Sequence, residues 1–269
     1  MTRQLTTLIF VLITIMSVGC LRIHNADQMV SKTDPLPTPE PTHITPTPEP
    51  TPTPLPTPAP TPVPIDQSRA MLGSAADFAV LAGSTCTSAG KASNVVGSVG
   101  VSPGTAITGV INIVGGSKHS GDSVSLKAQA DATTAYNTLA SHNGAINITG
   151  KELGGITLGP GVYKFNSSCA ITSGTLTLDG QGNPLAQWIF QIGSTITTGL
   201  KTNVNMINMG SPFNVYWQVG SSATISGTTM CGNIIAYASI TLNSSVDLKG
   251  RALARGGAVT LIEDNIAMK

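Results

Sequence analysis

Trp188-Ile-Phe-Gln-Ile192, Asn214-Val-Tyr-Trp-Gln-Val219, Asn233-Ile-Ile-Ala236 and Arg251-Ala-Leu-Ala254 recur through the last third of the chain, about 18 to 26 residues apart. A second short strand follows each of them: Thr195-Ile-Thr197, Thr224-Ile-Ser226, Ser239-Ile-Thr-Leu242 and Ala258-Val-Thr-Leu261. A third comes next: Val204-Asn-Met206, Thr229-Met-Cys231, Val246-Asp-Leu248 and Asn265-Ile266. Three short strands per repeat, broken by glycine corners, is the pattern of a β-helix with a three-sided cross-section.

The three faces differ in chemistry. The first is apolar on both sides, since Trp188, Phe190 and Ile192 alternate with Ile189, and Val215 with Tyr216. A strand apolar on both sides must be covered on both sides. The second alternates cleanly, with Ile196, Ile225, Ile240 and Val259 inward and Thr or Ser outward, so it faces water. The third is more mixed and points Asn205, Asp247 and Lys249 outward. One helix supplies the missing cover. Gly121-Asp122-Ser123 offers a cap, and Val124, Ala128, Ala132, Ala135 and Leu139 recur at helical spacing, which predicts a helix over 123–140. Its mostly alanine stripe allows close approach to the first face. The class is therefore all-β with one long helix packed alongside.

Upstream the composition changes. Fourteen of the 18 prolines lie between Pro35 and Pro64. Proline at every second position removes amide donors and fixes φ, so 35–64 reads as a Thr/Pro-rich polyproline II stalk, about 90 Å long if fully extended. Arg3 precedes an apolar run, Leu5 to Val18, too short to span a membrane comfortably. Ser17-Val18-Gly19-Cys20 follows and looks like a bacterial lipobox, although Ser17 stands where Leu is usual. Residues 1–20 are thus a signal peptide with Cys20 as the lipid acceptor; an ordinary cleaved signal or an uncleaved anchor are the alternatives. Residues 21–34 are a short tether, and 65–269 are one globular domain. All of these readings put the protein outside the cytoplasm.

Net charge is +1 and only 10% of residues are charged. That argues against a nucleic-acid partner or an acidic polymer substrate, since both reward a strongly basic face. β-Helical enzymes need paired carboxylates, a calcium site or an activated base. Asp179 and Asp247 have no visible partner, and His119 and His142 read as solvated loop residues, so no catalytic residue, cofactor or metal is expected. With Cys20 lipidated, Cys86, Cys169 and Cys231 remain. Their spacing matches no zinc pattern, and they read as small buried hydrophobes, with one disulfide among them as the alternative.

The ordered blocks resemble one family. Leu72-Gly-Ser-Ala-Ala-Asp-Phe-Ala-Val-Leu-Ala82, Gly97-Ser-Val-Gly-Val-Ser-Pro-Gly104, Ala132-Thr-Thr-Ala-Tyr136 and Leu158-Gly-Pro-Gly-Val-Tyr-Lys-Phe165 are followed by Leu176-Thr-Leu-Asp-Gly180. Trp188-Ile-Phe-Gln-Ile-Gly-Ser194, Val215-Tyr-Trp-Gln-Val-Gly220, Gly250-Arg-Ala-Leu-Ala254 and Gly257-Ala-Val-Thr-Leu261 complete the series. Together they are similar, in order and across 69–269, to the DUF3494 ice-binding (antifreeze) family. The resemblance implies a discontinuous right-handed β-solenoid, in which N-terminal strands complete rungs beside C-terminal ones. With only about Ser141 to Lys151 after the helix, a loop is expected there and no capping subdomain.

The resemblance also implies an ice surface as partner. Candidates on the second face are Thr85, Thr87, Thr175, Thr177, Thr195, Thr197, Thr224, Ser226, Thr241 and Thr260. A rival corner rests on Thr172-Ser-Gly-Thr175 and Ser226-Gly-Thr-Thr229, which resemble the family's Thr-Ala/Gly-x-Thr/Asn motif and bring in Thr172, Thr228 and Thr229; Asn243-Ser-Ser-Val246 departs from it. Outward Thr is also the commonest polar residue on exposed strands. A surface adhesin for a glycan or partner cell is the competing function. The expectation is a secreted monomer, tied to the membrane only through its N-terminal lipid.

Overall fold

The computed structural model describes residues 65–227 and 229–268. The expected signal peptide, Cys20, the tether, the stalk and Thr228 lie outside the described residues.

Parallel strands stack into a three-sided solenoid. The first face carries Gly161–Phe165, Trp188–Ile192 and Val215–Val219, then the C-terminal halves of the long strands Thr229–Ala236 and Asp247–Ala254, and then Phe78–Ala82 and Ser98–Val101. Phe78–Ala82 pairs directly with Asp247–Ala254, Val80 lying opposite Ala252. The rungs are therefore discontinuous in sequence, as the resemblance implied: the first strands of the domain stack under its last.

Two rungs turn the corner between the third and first faces without a loop. Gly232 and Gly250 pair across that corner, at φ of 116° and 151°. A Cβ on Gly250 would run into the Gly232 carbonyl, so the bend requires glycine at both levels.

The central core is a column of inward side chains. Phe190 stacks on Trp217 with ring centroids 4.0 Å apart and planes 7° from parallel, and Tyr163 stacks on Phe190 at 5.6 Å. Cys86, Cys169 and Cys231 are buried free thiols within it, as small hydrophobes would be.

Helix α1 (Ser68–Leu72) and a 3-10 turn over Gly73–Asp77 lead into the first rung. Helix α2 spans Ser123–Ala140, with the Asp122 side chain accepting from the Ser125 amide at its start. It buries Ala128, Ala132, Ala135 and Leu139 against Ile189, Tyr216, Ile235 and Leu253 on the outer side of the first face, and Ser125 is also buried at its start. Val124 was expected in that stripe and is instead 49% exposed: at the helix start the buried position passes to Ser125. Gln129 fixes the register by donating to the Ala254 carbonyl at 3.0 Å.

Two smaller expectations change. The stretch after α2 contains a short strand, Ile146–Asn147, that pairs with Gly161–Phe165 and starts the end rung. His119 lies on the strand Lys118–Ser120, against the Phe78 ring and 2.8 Å from Asp122, not in a solvated loop.

Candidate functional site

The second face is a sheet of its own, in the order Cys169–Ile171, Ile196–Thr198, Ala223–Ser226, Ile240–Asn243, Val259–Ile262, Thr85–Ala89 and Ala106–Thr108. Its inward positions, Cys169, Ile196, Ala223, Ile225, Ile240, Leu242, Val259, Leu261 and Cys86, are all buried. The period of two then sends the intervening residues to solvent. None of these strands contains a charged residue.

The pairing registers align the outward residues into one column. Thr197 lies beside Thr224, Thr224 beside Thr241, Thr241 beside Thr260, Thr260 beside Thr87, and Thr87 beside Thr108. Six threonines thus follow one another at the inter-strand spacing of about 4.8 Å, a line about 24 Å long. Thr197 and Thr108 are exposed and the others half-buried. Thr108 donates to Thr87 Oγ1 at 3.2 Å. Ala170 ends the column beside Thr197.

The flanking columns are less regular. Thr195 and Thr85 stand two residues before Thr197 and Thr87; Thr195 Oγ1 meets Ser168 Oγ at 2.9 Å, and Thr85 lies beside Ala106. On the other flank Ser226 pairs with Asn243, whose Nδ2 donates to Ser226 Oγ, while Ala89 pairs with Ile262. The face carries one complete Thr column with partial ones beside it, not a full Thr-x-Thr grid.

Thr175 and Thr177 are a correction. They lie on Gly174–Asp179, which pairs with Thr202–Ile207 on the third face, while Cys169–Ile171 supplies this rung's second-face strand. The corner falls at Gly174, with φ of 81°, one residue before Thr175. Alternation with inward Leu176 and Leu178 is the same on either face, so periodicity could not choose between them.

Among the described residues, Thr172 and Thr229 of the rival corner do not share a ladder. Thr172 Oγ1 and its amide both donate to the Glu152 carboxylate, at 3.0 and 2.7 Å. Thr229 belongs to the third-face column, beside Asn203 and Asp247. That column continues through Asn265, Asn94 and Asn112, whose carboxamides hydrogen-bond in series at 2.9 and 3.0 Å. Sequence reading missed both this asparagine ladder and Thr108. Ala106-Ile-Thr108 has the same alternation as the other second-face strands and could have been found by it; the asparagines are residues that otherwise signal turns.

Among the described residues no three or more His, Cys, Asp or Glu side chains gather closely enough to hold a metal ion.

Comparison with known proteins places this arrangement. The model of the ice-binding-like family matches residues 80–267. An ice-binding protein of Nostoc sp. (strain HG1) is 48% identical over 203 residues, 74% of each chain. One of Flavobacterium frigoris (strain PS1) is 29% identical over 71% of this chain and 73% of its own. Among solved structures, an ice-binding protein from an Antarctic biological consortium superposes with a TM-score of 0.69 at 40% identity, covering 80% of this chain and 95% of that one. The ice-binding protein of Antarctomyces psychrotrophicus gives 0.70 at 34% identity, over 74% and 97%. By sequence, by family model and by fold, this chain belongs to the ice-binding-like family.

Proposed function

We propose that this protein is exported, held at the cell surface by lipid on Cys20 and a polyproline stalk, and adsorbs as a monomer to ice through its second face. The observation that carries the reading is the uncharged face with six threonines in register, Thr197, Thr224, Thr241, Thr260, Thr87 and Thr108. Ice presents a regular array of water oxygens, and binding it requires no reaction. A rigid column of methyl and hydroxyl groups at a fixed repeat orders water over itself, the methyls caging it and the hydroxyls anchoring it. That ordered layer merges with the lattice, and growth between adsorbed molecules is halted by curvature.

The third face is the weaker candidate because Asp247 interrupts its column and Lys249 stands two residues along the same strand. Their tightly held hydration opposes an ordered, ice-like layer. The test is ice-recrystallisation inhibition together with crystal habit, using the purified full chain and its Thr195→Tyr and Thr224→Tyr variants, each checked for unchanged folding. Shaping by wild type and its loss in the variants is the expected result. Activity in all three would overturn the choice of face. A folded wild type that leaves ice untouched would overturn the function in favour of a surface adhesin.

A further inference from the structure

A cleft of about 650 Å³ opens between the C-terminal half of α2 and the edge of the first face. It is of the size that takes a small ligand, roughly 300–1,000 Å³. Its walls include Lys164, Arg255, Tyr136, Tyr237 and Gln218, and no acidic residue lines it. The second face stops at the corner glycines Gly193 and Gly220 that border it, so the cleft stands apart from the threonine column.

Three features point to a ligand. The Arg255 guanidinium is held over the Tyr136 ring, 4.5 Å from its centroid, and 5.4 Å from that of Tyr237. Its Nε donates to Thr133 Oγ1 at 3.3 Å, while its two terminal amino groups have no acceptor among the described residues. Neither Arg255 nor Lys164 has a carboxylate partner among them, so two cations, Lys164 on Gly161–Phe165 and Arg255 just past Asp247–Ala254 four strands on, border one acid-free space. Gln218, only 6% exposed, lines the cleft with a side-chain carboxamide that has no hydrogen-bond partner among the described residues. Tyr216 Oη is the one buried side-chain polar atom without a partner among the described residues, so the Gln218 carboxamide is reached by solvent through the cleft and is open to a bound molecule. The carbonyls at the end of α2 would disfavour an anion, but Gln191 Nε2 already occupies those of Leu139 and His142, each at 2.8 Å.

We propose that this cleft binds one hexuronate unit of an acidic saccharide, a local contact to a single carboxylate that needs no strongly basic face. The pre-oriented guanidinium fork takes the carboxylate, with Lys164 adding charge at the rim. Gln218 offers both a donor and an acceptor to ring hydroxyls. Tyr237, 57% exposed, offers a ring face to the apolar side of the sugar. This site goes beyond ice adsorption and does not depend on it.

The test is calorimetric titration of the full chain with a galacturonate trisaccharide, a neutral galactose trisaccharide and inorganic sulfate. The expected result is binding of the uronate that weakens with salt, and no binding of the neutral sugar. Arg255→Gln and Tyr237→Ala should each weaken it about tenfold or more, a loss of about 1.4 kcal/mol, while recrystallisation inhibition stays at the wild-type level. Lys164→Gln, on an exposed side chain, should weaken it less and keeps the test decisive should Arg255→Gln fail to fold. No uronate binding, or uronate binding indifferent to Arg255→Gln and Lys164→Gln, overturns the site. Sulfate binding as tight as uronate and unaffected by Tyr237→Ala reduces it to a simple anion site and overturns the saccharide.

Discussion

Thr87 stands in register beside Thr260, so the threonine column runs unbroken through the seam where the domain's first strands stack under its last. The column has no gap at that seam, and substitutions on either side of it should act alike. Thr87→Tyr and Thr260→Tyr each place a bulky ring inside the column, on either side of the seam, and each should raise the concentration needed to inhibit recrystallisation by about tenfold or more, as contacts away from the rim dominate an interface. Thr177→Tyr on the third face should leave it unchanged. Equal losses in all three variants would rule out a site confined to the second face.

The alanine stripe of α2 sets how closely the helix approaches the first face. Ala132 is 1% exposed, in the layer that contains Tyr216, Ile235 and Leu253. Ala132→Leu would force extra methylenes into that layer at a cost of about 1–3 kcal/mol. Thr134 on the outer side is exposed, and Thr134→Leu should change stability by less than about 0.5 kcal/mol. Urea unfolding of both variants separates the two effects.

How far the sequence could be read depended on whether a signal was local. The Asp122 cap and the alanine spacing fix α2 within one stretch of chain, and the Ile/Thr alternation fixes which side of each second-face strand is wet. Corners are decided by single backbone angles. At Gly174 a period of two continues across the turn, which moved Thr175 and Thr177 to the wrong face. The stacking of Thr85–Ala89 on Val259–Ile262 joins distant segments, and no local periodicity encodes it; only family resemblance carried it. The asparagine ladder stayed hidden for the same reason, since Asn94 and Asn265 meet only once the rungs stack.

Arg251 ties the entry segment to the solenoid wall. Its Nε and Nη2 donate to the Ala76 carbonyl at 3.0 and 2.9 Å, and Nη1 donates to Asn233 Oδ1 at 2.8 Å. Asn233 in turn donates to the Phe213 and Val215 carbonyls. Arg251→Met retains the apolar stem but leaves two buried acceptors without donors, and should cost about 2–4 kcal/mol. A fall in the urea midpoint with an unchanged slope is the expected signature; an unchanged midpoint would show the network to be dispensable.

Asp131 links α2 to the same entry segment. Its carboxylate accepts from Ser74 Oγ at 2.5 Å and from the Ser74 amide at 2.8 Å, with Lys127 Nζ at 3.0 Å. These hydrogen bonds, chiefly those from Ser74, hold its pKa down to about 2. The unfolded chain titrates near 3.9, so this stabilisation is complete above about pH 4 and is lost as pH falls toward 2. Asp122, also lowered to about 2, acts in the same window, so the diagnostic quantity is a difference between proteins. Asp131→Asn should flatten the fall in urea midpoint between pH 4 and 2 relative to wild type. Parallel curves would mean that the Ser74 contact contributes nothing to folding.

Burial pushes the thiols of Cys86 and Cys169 up to about 12 and that of Cys231 to about 11. Alkylation requires the thiolate, and at pH 8 these sites offer almost none, besides being shut off from reagent by the rungs around them. Iodoacetamide should therefore leave all three unmodified in the folded protein and label all three together in denaturant, read residue by residue by mass spectrometry. Cys169 lies one rung from the solenoid's end, beneath the short pairing of Glu152 with Ala170, while Cys231 is packed mid-column beside the Trp217 indole. Any labelling under native conditions should thus begin at Cys169 through local opening of that end rung. Prompt modification of Cys231 in the folded chain would contradict the packing of the central core.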